Sequence, residues 1–180
     1  MKDPLTLRIS RDLLTVASLS LAIAGCTTSG PSKQHQTQAE ACSALGNVVT
    51  QSASDFKALK QGAGVTDYDH TRWDTPAIFE GADCDVLGWG AGKSNYACTW
   101  SQPDAQTARK DYESGVAIAR TCLGATWAEA SIPGSSGEGL RFSRKGSPVV
   151  VDVRLNQERS PSASWMTSLT VGSPINRNAK

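Results

Sequence analysis

The chain has 180 residues, of which 18 are basic, 17 acidic and 39% hydrophobic. That length suits one domain with a real core rather than two. The near-even charge holds no basic block, which excludes the clustered Lys and Arg field that nucleic-acid or anionic-lipid binding draws on.

The first segment carries Lys2, Arg8 and Arg11, then an apolar stretch from Leu13 to Ile23. A spanning helix needs about 20 apolar residues, so this shorter stretch suits a signal-peptide core. It closes on Ile23-Ala24-Gly25-Cys26. That run resembles the lipobox of bacterial lipoproteins. The resemblance covers the first 26 residues and implies cleavage after Gly25, a diacylated Cys26 and membrane attachment through N-terminal acyl chains. Two or more chains are what stable anchoring takes. Thr27 follows the cysteine where an Asp tends to retain Gram-negative lipoproteins in the inner membrane. The resemblance therefore implies a cell-envelope location, at the outer membrane facing the periplasm if the source is Gram-negative.

Thr27 to Gln38 offers no large apolar side chain and is expected to be a flexible tether. The expected organisation is thus a signal peptide at 1–25, lipidated cysteine and tether at 26–38, and a single globular domain at 39–180. The segment after cleavage keeps 15 basic and 15 acidic residues and is formally neutral.

Ala39 to Gln61 is predicted as a helix, because Cys42, Leu45, Val49, Ala53, Phe56 and Leu59 recur every three or four residues. Gly62-Ala63-Gly64 is expected to end it. Val65 to Asp74 reads as a polar loop, and Ala77 to Phe79 as a short strand. Asp83–Leu87 and Asn95–Ser101 are predicted as the arms of a hairpin with a Gly88–Ser94 tip, since Tyr96, Cys98 and Trp100 alternate with Ala97 and Thr99. Ser101 is expected to cap a second helix, with Pro103 and Asp104 in its first turn. That helix carries small residues, Ala105, Ala108, Gly115 and Ala119, which suit close packing, and Gly124 ends it. Short strands are predicted at Thr126–Ala130 and Gly139–Ser143, and longer ones at Val149–Leu155 and from Trp165 to Val171. Gln157–Ser162 turns the chain, and Gly172–Lys180 reads as a loose tail. Helices and strands that do not alternate one for one predict an α+β fold, an antiparallel sheet packed with two helices. The element order is similar to that of the small sandwich of secretion-chaperone-like domains, a likeness that carries no function.

Four cysteines follow Cys26, and an even number in an exported chain predicts two disulfides. Cys84 and Cys98 lie equally far from Ala91 at the middle of the tip, so the hairpin register pairs them. Cys42 is then left to Cys122, joining the start of the first helix to the end of the second.

Gly92-Lys93-Ser94 imitates the end of a phosphate-binding loop, but Leu87 stands where that motif needs its first glycine, and a strand follows instead of a helix. No nucleotide site is expected. Asp67, Asp69, His70 and Asp74 fit no EF-hand spacing, and no second histidine lies nearby, so no metal or cofactor is expected. Asp83 and Asp85 flank Cys84 on one strand face. They and Asp67 are the candidates if the protein were an envelope hydrolase, but no nucleophile–base constellation accompanies them. Trp89, between two glycines, is either a partner anchor or a ring folded back on Tyr96 or Trp100. With Lys93 as a peripheral charge, it is the candidate contact for an envelope protein partner. The expected function is a non-catalytic binding or accessory lipoprotein, such as an assembly factor, inhibitor or immunity-type protein. A purely structural envelope lipoprotein is the third alternative.

Overall fold

The computed structural model describes residues 36–89, 93–133, 137–157 and 164–174. The signal segment, Cys26, most of the expected tether, the centre of the hairpin tip and the last six residues lie outside the described residues.

Helix α1 spans Gln38–Gln51 and continues as one 3-10 turn, Ser52–Ser54. Thr37 caps it: its hydroxyl accepts from the Glu40 amide, while the Glu40 carboxylate accepts from the Thr37 amide. That reciprocal pair satisfies two orphan donors of the first turn. Gln36 also donates through Nε2 to the Ile78 carbonyl at 2.6 Å. The end of the expected tether, Gln36 to Gln38, is therefore built into the fold. The helix stops ten residues short of the predicted Gln61. Asp55 and Phe56 both adopt φ near 57° and reverse the chain. A bulky residue rarely takes that conformation. Here Phe56 is buried and its ring lies 6.5 Å from that of Tyr96, which holds it in place.

The strands are β1 (Gln61–Asp67), β2 (His70–Asp74), β3 (Asp83–Trp89), β4 (Lys93–Gln102), β5 (Ala128–Ser131), β6 (Gly139–Ser143), β7 (Val150–Gln157) and β8 (Trp165–Gly172). They form one sheet in the order β1-β2-β3-β4-β8-β7-β6-β5, and every neighbouring pair is antiparallel. The fold is α+β, as predicted. The segment predicted as a polar loop at 65–74 is instead mostly the β1–β2 hairpin. No strand forms at Ala77–Phe79, where Phe79 is nevertheless buried.

The register divides the sheet into two faces. Val86, Tyr96, Val171 and Val151 are successive partners across it, as are Cys84, Cys98, Leu169 and Val153. These rows are the buried face. Helix α2 (Ala105–Leu123) crosses it: the Thr167 hydroxyl donates to the Ala108 carbonyl at 2.7 Å, and a Cβ on Gly115 would meet Val153 at 3.2 Å. The small residues of the sequence stripe thus allow the close approach. The cap of α2 is Asp104, not Ser101, which remains in β4. The Asp104 carboxylate accepts from the Thr107 amide at 2.8 Å and is held below the usual aspartate range by that bond.

Both disulfides join the residues expected. Cys84 faces Cys98 directly in the β3–β4 register, with Cα atoms 4.1 Å apart. Cys42 joins Cys122, tying α1 to α2 across 80 residues of chain. No helix among the described residues is long and apolar enough to cross a membrane.

Candidate functional site

Trp89 and Lys93 face each other at the turn end of the β3–β4 hairpin. Strand parity puts both on the face opposite Tyr96 and Trp100, so Trp89 does not fold back on either ring. It meets His70, its partner in β2, with ring centroids 5.1 Å apart. Asp69 holds His70 in turn, Oδ1 to Nδ1 at 3.1 Å. Trp89 is half-buried, and its Nε1 is fully buried without a hydrogen-bond partner among the described residues. Buried donors are usually paired, so this one is an exception that asks for an acceptor.

A groove of about 350 Å³ opens beside this pair, lined in part by Tyr68, His70, Trp73, Trp89 and Lys93. Trp73 of β2 lines it from the helix-covered face, since it pairs with Val86, whereas His70 and Trp89 stand on the other face. That indole lies against backbone on both sides: a Cβ on Gly64 would come within 2.5 Å of it and one on Gly88 within 2.7 Å. The glycines at these positions make room for the ring. On the helix side, Lys60 covers Trp73 with Nζ 4.3 Å from the ring centroid. The same ammonium donates to Asp55 at 2.9 Å and to the Ser94 hydroxyl at 3.1 Å, and Ser94 donates to Asp55 at 3.0 Å. The strained Asp55–Phe56 turn is what delivers the carboxylate to this triangle.

Tyr68 sits at the tip of the β1–β2 hairpin and is fully exposed. Asp67 and His70 pair, leaving Tyr68-Asp69 as a two-residue loop, and Tyr68 takes φ of 46°. Such loops favour glycine, asparagine or aspartate at left-handed positions. A tyrosine here costs stability and buries nothing within the described residues.

Ser94 is the one lining hydroxyl held by charged groups, but it commits its proton to Asp55. No hydrogen bond joins it to His70 among the described residues. The phosphate-loop imitation leads into a strand, as expected: Lys93 and Ser94 open β4.

The other sequence candidates lie elsewhere. Asp83 and Asp85 stand on the uncovered face of β3, with Asp74 opposite Asp85. Burial holds the Asp85 carboxyl above the usual aspartate range, opposed by Arg72 and reinforced by Asp74 and Asp83. Arg72 Nε is 3.9 Å from it. Asp67 ends β1 as an exposed residue, away from this trio in the strand register. Asp69 and His70 sit at one end of β2 and Asp74 at the other, so the acidic loop of the sequence is pulled apart by the hairpin. Among the described residues, no three His, Cys, Asp or Glu side chains converge as a metal site.

Sequence reasoning missed Tyr68, Trp73, Lys60 and Asp55. One signal was present: Tyr68-Asp69 flanked by Thr66 and Thr71 has the length of a two-residue hairpin loop. No protein-family model, no curated protein and no solved structure matches the chain. The class of protein that the fold and groove define is a disulfide-stapled α+β domain with a groove lined by aromatic residues at one end of its sheet.

Proposed function

We propose that the protein is a lipid-anchored lipoprotein of the cell envelope that acts as a non-catalytic binding or accessory protein. The anchor reading rests on Ile23-Ala24-Gly25-Cys26. It places the domain at the outer membrane, facing the periplasm, if the source is Gram-negative. The binding reading rests on one observation above the others: the half-buried Trp89, stacked on His70 beside the fully exposed Tyr68 at the end of the sheet. The Cys84–Cys98 bridge lies five residues back along β3 and holds the arms together. A site on such a rigid frame loses little freedom on binding.

The test has two arms. Cys26→Ser should abolish palmitate labelling and leave an unprocessed precursor; equal labelling would refute the anchor. With the acylated protein as bait in detergent-solubilised envelope, Trp89→Ala should weaken capture of its partner by roughly tenfold or more, the scale of a hot-spot aromatic. Undiminished capture would refute the site. A hydrolase acting through Asp83 and Asp85 is the second reading, favoured by the raised Asp85 carboxyl. Its signature would be a hydrolytic activity lost in Asp85→Asn.

A further inference from the structure

We infer that the uncovered face of the sheet binds a second copy of this chain. The inference concerns a different surface from the groove and does not rest on the binding reading above.

Among the described residues both helices pack on one face of the sheet. The opposite face carries its charge in two separate halves. On β2 and β3, Asp74, Asp83 and Asp85 stand with a single guanidinium, Arg72, whose Nε is 3.9 Å from Asp85. On β6 and β7, two guanidiniums share one carboxylate. Arg141 donates to both Asp152 oxygens at 2.7 Å, and Arg154 donates to one of them at 3.1 Å. One half is therefore net acidic and the other net basic. Between them, β4 and β8 present Ala97, Thr99, Ser168 and Thr170, which are small and uncharged.

The sheet order makes the two halves symmetric. Strands β4 and β8 lie side by side, β3 and β7 flank them, and β2 and β6 come next outward. The register holds the charges in two rows. One runs Asp74, Asp85, Ala97, Thr170, Asp152, Arg141. The other runs Asp83, Thr99, Ser168, Arg154.

Two copies of one chain pair most simply about a two-fold axis, which sets the same patch on both sides. Two sheet faces laid on each other offer two such axes in their common plane. An axis across the strands would lay β3 on β3 and acid on acid. An axis along the strands, between β4 and β8, lays β3 on β7 of the second copy and β2 on its β6. Asp83 then meets Arg154 and Asp74 meets Arg141, and symmetry makes each contact twice. Asp85 falls opposite Asp152, a carboxylate that two guanidiniums already hold. The small residues of the middle strands let the sheets approach to the spacing of about 10 Å that stacked sheets keep. Unlike charges facing each other favour this arrangement over the like-on-like one, and salt weakens that preference.

The experiment is cross-linking of the full-length protein in isolated cell envelopes with a short bis-maleimide. Ser168→Cys places a thiol beside the proposed axis, and Lys110→Cys places one on the exposed side of α2. Ser168→Cys should give a dimer band about tenfold or more stronger than Lys110→Cys, and added salt should weaken it. Introducing Asp83→Lys or Arg154→Glu into the Ser168→Cys chain should each lower the band by about tenfold or more, because each sets like charges at both symmetric contacts. Coexpressed, the two charge variants should restore the band as a mixed dimer. The introduced charges then meet with opposite signs at one contact, and Asp83 meets Arg154 at the other. Restoration would also show that both variants fold. Asp83→Asn changes one exposed side chain and should lower the band several-fold without a reversed charge. Absence of a dimer band, equal bands from Ser168→Cys and Lys110→Cys, a band indifferent to Asp83→Asn or to the charge variants, or failure of the mixed dimer to form would each overturn the inference. So would a cross-link to a different protein in place of the dimer.

Discussion

The β4–β8–β7 centre and the β1–β2 hairpin belong to one sheet but differ in how they are held. In the centre, Tyr96, Leu169, Val171, Val151 and Val153 are all fully buried beneath the helices. In β1, six of seven residues are exposed and the seventh is half-buried. The hairpin is held by its ladder to β3, by the Trp73 indole lying between Gly64 and Gly88, and by Lys60 above that ring. The centre stores the stability of the fold. The hairpin is attached to it by few contacts, and the groove aromatics gather there. Binding surfaces on a rigid scaffold are commonly placed this way, because residues displayed outward contribute little to the core.

Substitutions should separate the two regions. The largest effect belongs to the centre. Leu169→Ala removes a fully buried side chain and should cost about 2–5 kcal/mol in chemical denaturation. A cost below about 1 kcal/mol would mean that the centre is not the main reservoir of stability. Replacing Cys42 and Cys122 together by Ala frees a loop of 80 residues in sequence and should cost about 2–5 kcal/mol by the same measurement.

At the hairpin the sign should reverse. Tyr68→Gly relieves a left-handed tyrosine and should raise stability by about 1 kcal/mol, the scale of a strained backbone position. A destabilised variant would show that the ring packs on the fold, and the contrast between the regions would weaken. The smallest effect is expected on the uncovered face of β3. The folded-state pKa of Asp85 is raised, so its contribution to folding is favourable below the unfolded pKa and is lost as pH rises through the folded one. At neutral pH the ionised group is therefore a net cost. Asp85→Asn should raise the denaturation midpoint slightly at pH 7 and leave it unchanged in acid. Glu129 and Glu138 run the other way: hydrogen bonds from Arg120 and Arg109 lower their pKa values, and what they contribute is lost as acid protonates them.

The same contrast explains what the sequence made legible. The central strands were readable because burial on one face forces alternation: Tyr96, Cys98 and Trp100 against Ala97 and Thr99, and Val151 and Val153 against Asp152 and Arg154. The disulfides followed from the hairpin register. Strands β1 and β2 were not readable, because β1 is exposed along nearly its whole length and need not alternate, and β2 has only five residues. Gly62 and Gly64 looked like a helix terminator, when Gly64 in fact makes room for the Trp73 indole. The first helix was drawn too long because Phe56 and Leu59 keep its apolar spacing. They reach the core through a left-handed turn instead. Trp89 and Lys93 stood out as an aromatic and a charge at a glycine-rich tip. Their companions come from two stretches, Asp55 and Lys60 from the turn after the first helix and Tyr68 and Trp73 from the β1–β2 hairpin, and the packing of that turn against the sheet is not written in the local sequence.

The central claim is that the protein meets its partner at the groove end of the sheet. Site-specific photo-cross-linking in intact cells tests it most directly. A photoreactive residue at Tyr68 is compared with one at Lys145, an exposed residue in the β6–β7 turn. The account predicts adducts from position 68, none from position 145, and loss of the former in a Trp89→Ala background. Adducts from position 145 alone, or position-68 adducts indifferent to Trp89→Ala, would contradict it.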